Sequence, residues 1–533
     1  MDSGGRILIN DMKMGVNSMA KSKITLTLVL LVFLSLSTMA QRREVNTTLE
    51  ECIADAVKYN LNVQVEIYNP AIAEANIKRA KESYFPQLGF RFQKQSQENP
   101  TYSYLEGDET VVTEYGSYAG QLYQEIPGGG NLTVLLNSYK NDSNASFQTI
   151  NPRYGATLSF DFTQPLLRNF MYNPIRRQIV IAGNNLDVSD ARFKTALLQT
   201  VYAVEEAYWN LVFSIEDLKV RQQSLLLAKD LLRKNRKEVE VGTLAPIEIL
   251  TAEAEVAARE ADILQAEVMV ENNEDTLKTI INRYPEQDAA LISLRPSDEP
   301  QYDETDISLD QALKVALLNR PDLQERRFDF KNREYDLSYA KNQMLPELNL
   351  NASYWSPGLS GTQLIYQDDN PATGIIIGQI PGAASDSLRD AFDFTYVNWD
   401  LNLTLSLPID SLLSRAQYTQ AKLALDQALV QIAQQEKQIF LDVRNAVRFV
   451  QTNYKRVEAY RIARELAQEK LEVEEKKLRV GMTTNYIVLQ QQRDLANARS
   501  AEVRALIDYN LSLAGLDRAM GITLDKKNIK LAR

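Results

Sequence analysis

TLEECIADAVKYNLNVQVE (Thr48–Glu66) and SLDQALKVALLNRPDLQER (Ser308–Arg326) align without a gap, Thr48 on Ser308. In the same register AKESYFPQLGFRF (Ala80–Phe92) falls on AKNQMLPELNLNA (Ala340–Ala352), so that Leu49 meets Leu309, Ala56 meets Ala316 and Pro86 meets Pro346. Further along, VGTLAPIEIL (Val241–Leu250) is answered by VGMTTNYIVL (Val480–Leu489). Ordered motif pairs that carry their proline or glycine in step are the signature of an internal repeat, and a repeat decides the architecture. Each half is expected to run helix, Pro, strands, Pro, long helix, Gly turn, helix. The chain divides accordingly into repeat 1 (41–300) and repeat 2 (301–533), behind a signal peptide (1–40).

After each repeated proline the hydrophobic period is two. Leu88, Phe90 and Phe92 alternate with Gly89, Arg91 and Gln93, and Leu348, Leu350, Ala352 and Tyr354 alternate with Asn349, Asn351 and Ser353. Returning strands follow at Ala156–Thr163, ending at Pro165, and at Val397–Leu407, ending at Pro408. Such alternation puts the apolar side chains on one face of a sheet. Tyr118–Ile126 and Leu132–Tyr139 flank Pro127-Gly128-Gly129-Gly130 and read as an additional hairpin in the first half. A phosphate loop there lacks its Lys-Ser/Thr and its helix. Beyond Pro165 and Pro408 the apolar spacing becomes three to four, through Leu197, Leu198, Val201, Val204 and Tyr208, and through Ile439, Val443, Val447 and Val450. No proline or glycine interrupts Ala416–Val480, so at about 1.5 Å per residue this helix could reach ~100 Å. Residues 98–116, 141–153 and 356–393 read as exposed loops, and 284–305 as a linker between repeats.

The 533 residues carry a formal charge of −11, so a nucleic-acid surface, which needs clustered Lys and Arg, is not indicated. One cysteine, Cys52, excludes an internal disulfide framework. There is no histidine, so the commonest general base and metal ligand is missing. No catalytic, cofactor or metal site is expected, and the chain does not read as an enzyme. Lys21 and Lys23 precede a short apolar run, Ile24–Ser37, with Thr38-Met39-Ala40 before Gln41. The run is shorter than a membrane helix and reads as a secretory signal cleaved after Ala40, with Met19 as an alternative start. Alternating strands of about ten residues in an exported chain suit an outer-membrane barrel, with lipid on one face and water on the other.

Both helix openings, the two AK-x4-P-x-L elements, the Gly-centred tips and FTQPLLRNF (Phe162–Phe170) together resemble the outer membrane efflux protein (TolC) family over nearly everything after residue 40. The resemblance implies a fold that is mainly α with a membrane β-barrel part: long helical hairpins in two structural repeats, closed only as a trimer. It implies a homotrimeric exit duct in the outer membrane, extending into the periplasm. Such a duct serves a tripartite efflux or type I secretion system, with outer-membrane lipid around it and a periplasmic adaptor and inner-membrane pump docked at the tips. Four strands, or six with the additional hairpin, cannot enclose a channel from one chain, whereas three chains give twelve or eighteen. A periplasmic adaptor and a coiled-coil envelope protein are the alternatives. They fit less well, because an adaptor shows one hairpin and a coiled coil lacks the alternating strands.

The resemblance also implies a gate near the tips. Gly242 and Gly481 mark the reversals. The positions of the family's acidic ring hold Ile487 and Gln490, so this chain departs from the pattern, and the nearest acid on that face is Asp494, one turn further on. Glu248 fills an acidic linking position whose usual cationic partner is replaced by Thr483, leaving Arg479 as a substitute.

Overall fold

Thr48 caps the first helix as a Thr-x-x-Glu sequence requires: its side chain accepts from Glu51 N at 3.2 Å, and the Glu51 carboxylate accepts from Thr48 N at 3.1 Å. The computed structural model describes residues 43–101, 109–285, 289–304, 307–407 and 412–529. The signal-peptide reading of residues 1–40 lies outside them. In chain order the elements are β1 (Arg43–Thr47), α1 (Leu49–Tyr59), α2 (Leu61–Glu82), β2 (Gln87–Pro100), β3 (Thr110–Glu125), β4 (Asn131–Ser143), β5 (Ile150–Pro165), α3 (Pro174–Glu240) and α4 (Ile247–Ile281). Then come β6 (Ile292–Pro296), α5 (Leu309–Asn319), α6 (Pro321–Asn342), β7 (Glu347–Tyr366), β8 (Ile376–Ile380), α7 (Ala384–Phe392), β9 (Asn398–Ser406), α8 (Leu412–Arg479), α9 (Asn485–Met520) and α10 (Thr523–Lys526). Both long periodic segments are single helices, 67 residues for α3 and 68 for α8.

The chain forms two compact units. One comprises residues up to Leu61, Thr200–Thr305 and Phe449–Ala514. Here β1 pairs in parallel with β6 from within the expected linker, Arg43 on Ile292 through Thr47 on Pro296. Neither strand was legible, because five residues containing Asn, Arg and Pro carry no period-two signal. Asp298 ties this ribbon to the helices: its carboxylate accepts from Leu49 N at 2.6 Å and from the buried Tyr208 hydroxyl at 2.7 Å. Burial and the Asp298 hydrogen bond both push the Tyr208 phenol up, so it stays a donor. Cys52 is fully buried on the inner face of α1 beside Ile53 and Ala56, and burial pushes its thiol up to about 11.

The other unit comprises Asn62–Gln199, Asp306–Arg448 and the residues from Gly515 onward, and holds an antiparallel sheet. Its full-length strands run in the order β2-β3-β4-β5-β7-β9, and β8 adds a short pairing to the far end of β7. Three expected loops are largely ordered structure. Strand pairing runs on to Pro100 and resumes at Thr110; β4 reaches Ser143 and β5 begins at Ile150; β7 continues to Tyr366. Polar residues hid these extensions, since a ladder continued into water needs no apolar alternation. Within 356–393 the sequence also conceals α7, whose Ser387 and Ala391 are fully buried against β5 and β7. Gly358 makes this approach possible: a Cβ there would collide with the Ser387 carbonyl oxygen. Phe394, just beyond α7, stacks on Tyr354 and Phe160 with ring centroids 5.6 and 6.5 Å apart.

Gly358→Val is therefore expected to undock α7 while the ladder persists. Limited proteolysis of the purified protein should show cleavage within 384–392 at least tenfold faster than in wild type. An unchanged cleavage rate would contradict the packing.

Candidate channel wall and helical tips

The strand registers decide what the sheet presents. Phe90 pairs with Gly120, Leu122 with Val134, Val134 with Phe160, Phe160 with Tyr354, and Tyr354 with Trp399. One face is thus apolar across all six strands, from Leu88, Phe90 and Phe92 to Leu401, Leu403 and Leu405. The last three, like Phe90 and Trp399, are more than half exposed. The opposite face is mainly polar: Tyr123, Thr133, Asp161, Ser353 and Asp400 occupy one continuous register row. Asp161 accepts from Ser353 Oγ at 2.7 Å and Ser159 Oγ at 3.0 Å, and Asn351 donates to Asn402 at 2.9 Å. Among the described residues β2 pairs only with β3, and β9 only with β7, so both outer strands leave an open edge. No described helix is long and apolar enough to cross a membrane.

The helical reversals are built alike. Gly242 (φ +78°) and Gly481 (φ +73°) stand just past α3 and α8 in the left-handed region that glycine enters freely. Gly242 N donates to Val239 O at 3.0 Å and Thr243 N to Glu238 O at 2.9 Å; Gly481 N donates to Leu478 O at 3.1 Å and Met482 N to Lys477 O at 2.9 Å. Each is a Schellman turn, which satisfies the last carbonyls of its helix. A Cβ at either glycine would meet open space, so backbone conformation alone calls for glycine there. Behind the turns a small apolar core joins four helices: Ala228 and Leu231, Ala252, Leu471, and Val488, Leu489 and Leu495.

The structure distributes the sequence-predicted gate residues unequally. Val488 and Leu489 point into the core while their neighbours Ile487 and Gln490 face outward, Ile487 being 37% exposed. Gln490 and Asp494 line one groove of about 590 Å³ together with Leu250, Glu255, Tyr486 and Arg493. Glu248 lies in the first turn of α4 with one carboxylate oxygen enclosed and without a hydrogen-bond partner. It does not meet its expected substitutes within the chain. Arg479 is exposed, and the Thr483 side chain instead hydrogen-bonds Glu474, whose carboxyl Lys477 and Thr483 together hold below the usual range.

Sequence reasoning missed the most connected side chain of this unit. Arg259, only 4% exposed, donates from Nη1 to Ser224 O at 2.6 Å, from Nη2 to Leu489 O at 3.0 Å and from Nε to Glu255 at 3.0 Å. One guanidinium thus joins α3, α4 and α9. Glu255 in turn takes both arms of Arg493, from Nε at 3.2 Å and from Nη2. Burial pushes the Glu255 carboxyl up, but Arg493 and Arg259 outweigh it and hold the group below 4.5. An arginine on a polar-rich helix carries no sequence signal of burial; its spacing of four from Glu255 is the single hint.

The sequence profile of the outer membrane efflux proteins matches residues 53–283 and 312–522. The TolC outer membrane protein of Escherichia coli (strain K12) is 23% identical over 373 residues, 70% of each chain. Among solved structures, the CmeC outer membrane channel of Campylobacter jejuni superposes with a TM-score of 0.62 at 16% identity, covering 89% of this chain and 85% of that one. VceC, an outer membrane protein of Vibrio cholerae, gives 0.61 at 16%, covering 89% and 96%. A sheet with one lipid-type and one water-type face, joined in sequence to long helical hairpins, defines an outer-membrane channel. The chain belongs to the outer membrane efflux protein family, which sits in the outer membrane and extends into the periplasm.

Arg259→Ala leaves the Ser224 and Leu489 carbonyls unpaired and should cost the four-helix region roughly 2–4 kcal/mol. Hydrogen exchange at 224–235 and 485–495 should accelerate accordingly, and Arg259→Lys should not restore protection, lacking the planar fork. Because the folded Glu255 carboxyl lies below its unfolded value, its stabilisation is fully present above the ordinary carboxylate range and is lost as pH falls through the lower folded value. Glu255→Gln should flatten that acid dependence of exchange. An equal loss in wild type and variant would contradict the assignment.

Proposed function

We propose that three copies of the chain close one shared barrel in the outer membrane and one shared α-helical tunnel across the periplasm. The duct serves a tripartite efflux or type I secretion system, carries no catalytic role, and arose from two structural repeats, 41–300 and 301–533. One observation carries the reading: an apolar-faced sheet whose outer strands, β2 and β9, each leave one edge unpaired among the described residues. Hydrocarbon does not tolerate such edges, and the strands of one chain, four or six, are too few to close a water-filled ring. Cyclic symmetry pairs β9 of one copy with β2 of the next until the ring closes. An adaptor or a coiled-coil envelope protein has no use for this sheet.

The tips, 241–249 and 480–488, are where a periplasmic adaptor and its inner-membrane pump dock. The gate is apolar in its first ring: Ile487 narrows the tunnel, with Gln490 behind it. Glu248 is a latch between neighbouring hairpins, supported by its enclosed oxygen that finds no donor within its own chain. Asp494 is a deeper and weaker cation site, weakened further by Arg493 in the same groove.

Cell fractionation should recover the mature protein from the detergent-extracted outer membrane as a heat-resistant trimer; a soluble periplasmic monomer would refute the duct. In single-channel recording, Ile487→Asp should tighten block by a trivalent cation at least tenfold, because three carboxylates around a narrow pore attract cations strongly. Glu248→Gln should raise the open probability. Tight trivalent block of the wild type that survives Asp494→Asn would place the gate elsewhere.

A further inference from the structure

The hairpin β3–β4 is absent from the second half of the chain, where one strand follows Pro346 and one returns before Pro408, and nothing in the duct reading requires it. Its placement in the sheet is complete. β2 pairs with β3 over residues 87–100 and 110–123, β3 with β4 over 113–125 and 131–143, and β4 with β5 over 131–141 and 153–163. Each pairing therefore covers at least the 9–11 residues that cross a bilayer at about 45°. Both faces continue through the hairpin. Leu122, Leu132, Val134 and Leu136 extend the apolar face between Leu88 and Phe160, while Gln121, Thr133 and Asn137 extend the polar one. A hairpin folded into the lumen, or standing in water above the membrane, has no reason to keep an apolar face in register with its neighbours.

The turn of the hairpin is anchored as well. Residues 126–130 lie at the sheet end where β5 runs into α3, because Asn173 Nδ2 donates to Pro127 O at 3.2 Å and Met171 N to Gly128 O at 3.2 Å. Gly129 (φ +92°) packs so closely on the Asn169 carbonyl that a Cβ there would collide with it. The same end holds Pro86 before β2 and Pro346 before β7, the point from which every strand of the wall departs. β3 and β4 thus span the wall from its helical side, as β2, β5, β7 and β9 do.

We propose that β3 and β4 are wall strands, so that three copies close an eighteen-stranded barrel whose lumen admits bulky polar cargo. This rests on the trimeric duct reading. With strands ~4.8 Å apart and tilted ~40°, eighteen of them give a backbone radius of about 18 Å, against about 12 Å for twelve. After about 5 Å of side chain on the inner face, the free diameter is roughly 26 Å instead of roughly 14 Å. A single α-helix is about 10–12 Å across, so twelve strands just pass one helix, and eighteen pass a helical hairpin or a large polar solute. The inner surface offered to it is hydroxyl- and amide-rich, and its charges within the paired strands are Arg91, Glu125, Arg153, Asp161, Glu347 and Asp400.

Single cysteines at Leu132, Val134 and Leu136, and at Thr133 and Asn137, carry a nitroxide label in trimers reconstituted into phospholipid vesicles. Cys52 stays unlabelled because it is fully buried. Oxygen, concentrated in the hydrocarbon, and a water-soluble nickel chelate report which side each label faces. The even positions should show at least threefold higher oxygen than chelate accessibility, and the odd positions the reverse. Leu401 and Leu403 against Asn402 and Thr404 on β9 test the duct reading in the same experiment. Alternation on β9 with uniform chelate access on β4 would overturn the eighteen-stranded wall and leave the duct standing. Loss of alternation on both strands would overturn the duct itself.

Discussion

Every backbone N–H and C=O that enters hydrocarbon must be paired, and this sheet leaves one row of them open on β2 and another on β9. The rest of the molecule is organised around that demand. Apolar side chains alternate outward from Leu88 to Leu405 because a lipid-facing ladder needs them, and the polar rows on the reverse side are tied by Ser353–Asp161 and Asn351–Asn402 hydrogen bonds that need water beside them. Under the proposed trimer the open edges make the wall a shared object. There the edge strands of each protomer find their partners only in its two neighbours.

The helical unit solves a different problem. Helices 67 and 68 residues long cannot be held by propensity alone, and their far ends have no large core to sit on. A few small apolar residues, Ala228, Ala252 and Val488 among them, let four helices approach, and one buried guanidinium replaces the missing bulk with directed hydrogen bonds. Such an arrangement is fixed in register by directed hydrogen bonds and thin in apolar area. One carboxylate oxygen of Glu248 is enclosed in this region without a hydrogen-bond partner.

Much of this was legible in the residues. Alternation after Pro86 and Pro346, three-to-four spacing after Pro165, and two glycines in step located the wall strands, the long helices and the turns, because each reflects a local periodicity or a φ that one residue type prefers. What escaped depends on partners distant in sequence. β1 and β6 are strands only because Arg43 finds Ile292, and α7 is a helix docked on a sheet only because Gly358 leaves room for Ser387. Arg259 is buried because carbonyls from two other helices converge on it. The gate positions were named from a resemblance, and the structure separates them: Ile487 and Gln490 face outward, Asp494 shares a groove with Arg493, and Glu248 stands apart from Arg479.

The central claim is that the two open edges find each other across protomers. Electron cryo-microscopy of the full protein in lipid nanodiscs tests it most directly. The account predicts a single threefold-symmetric ring of strands, with β9 of each protomer hydrogen-bonded to β2 of the next. A ring closed within one protomer, or strands β2 and β9 left unpaired in the assembled particle, would contradict it.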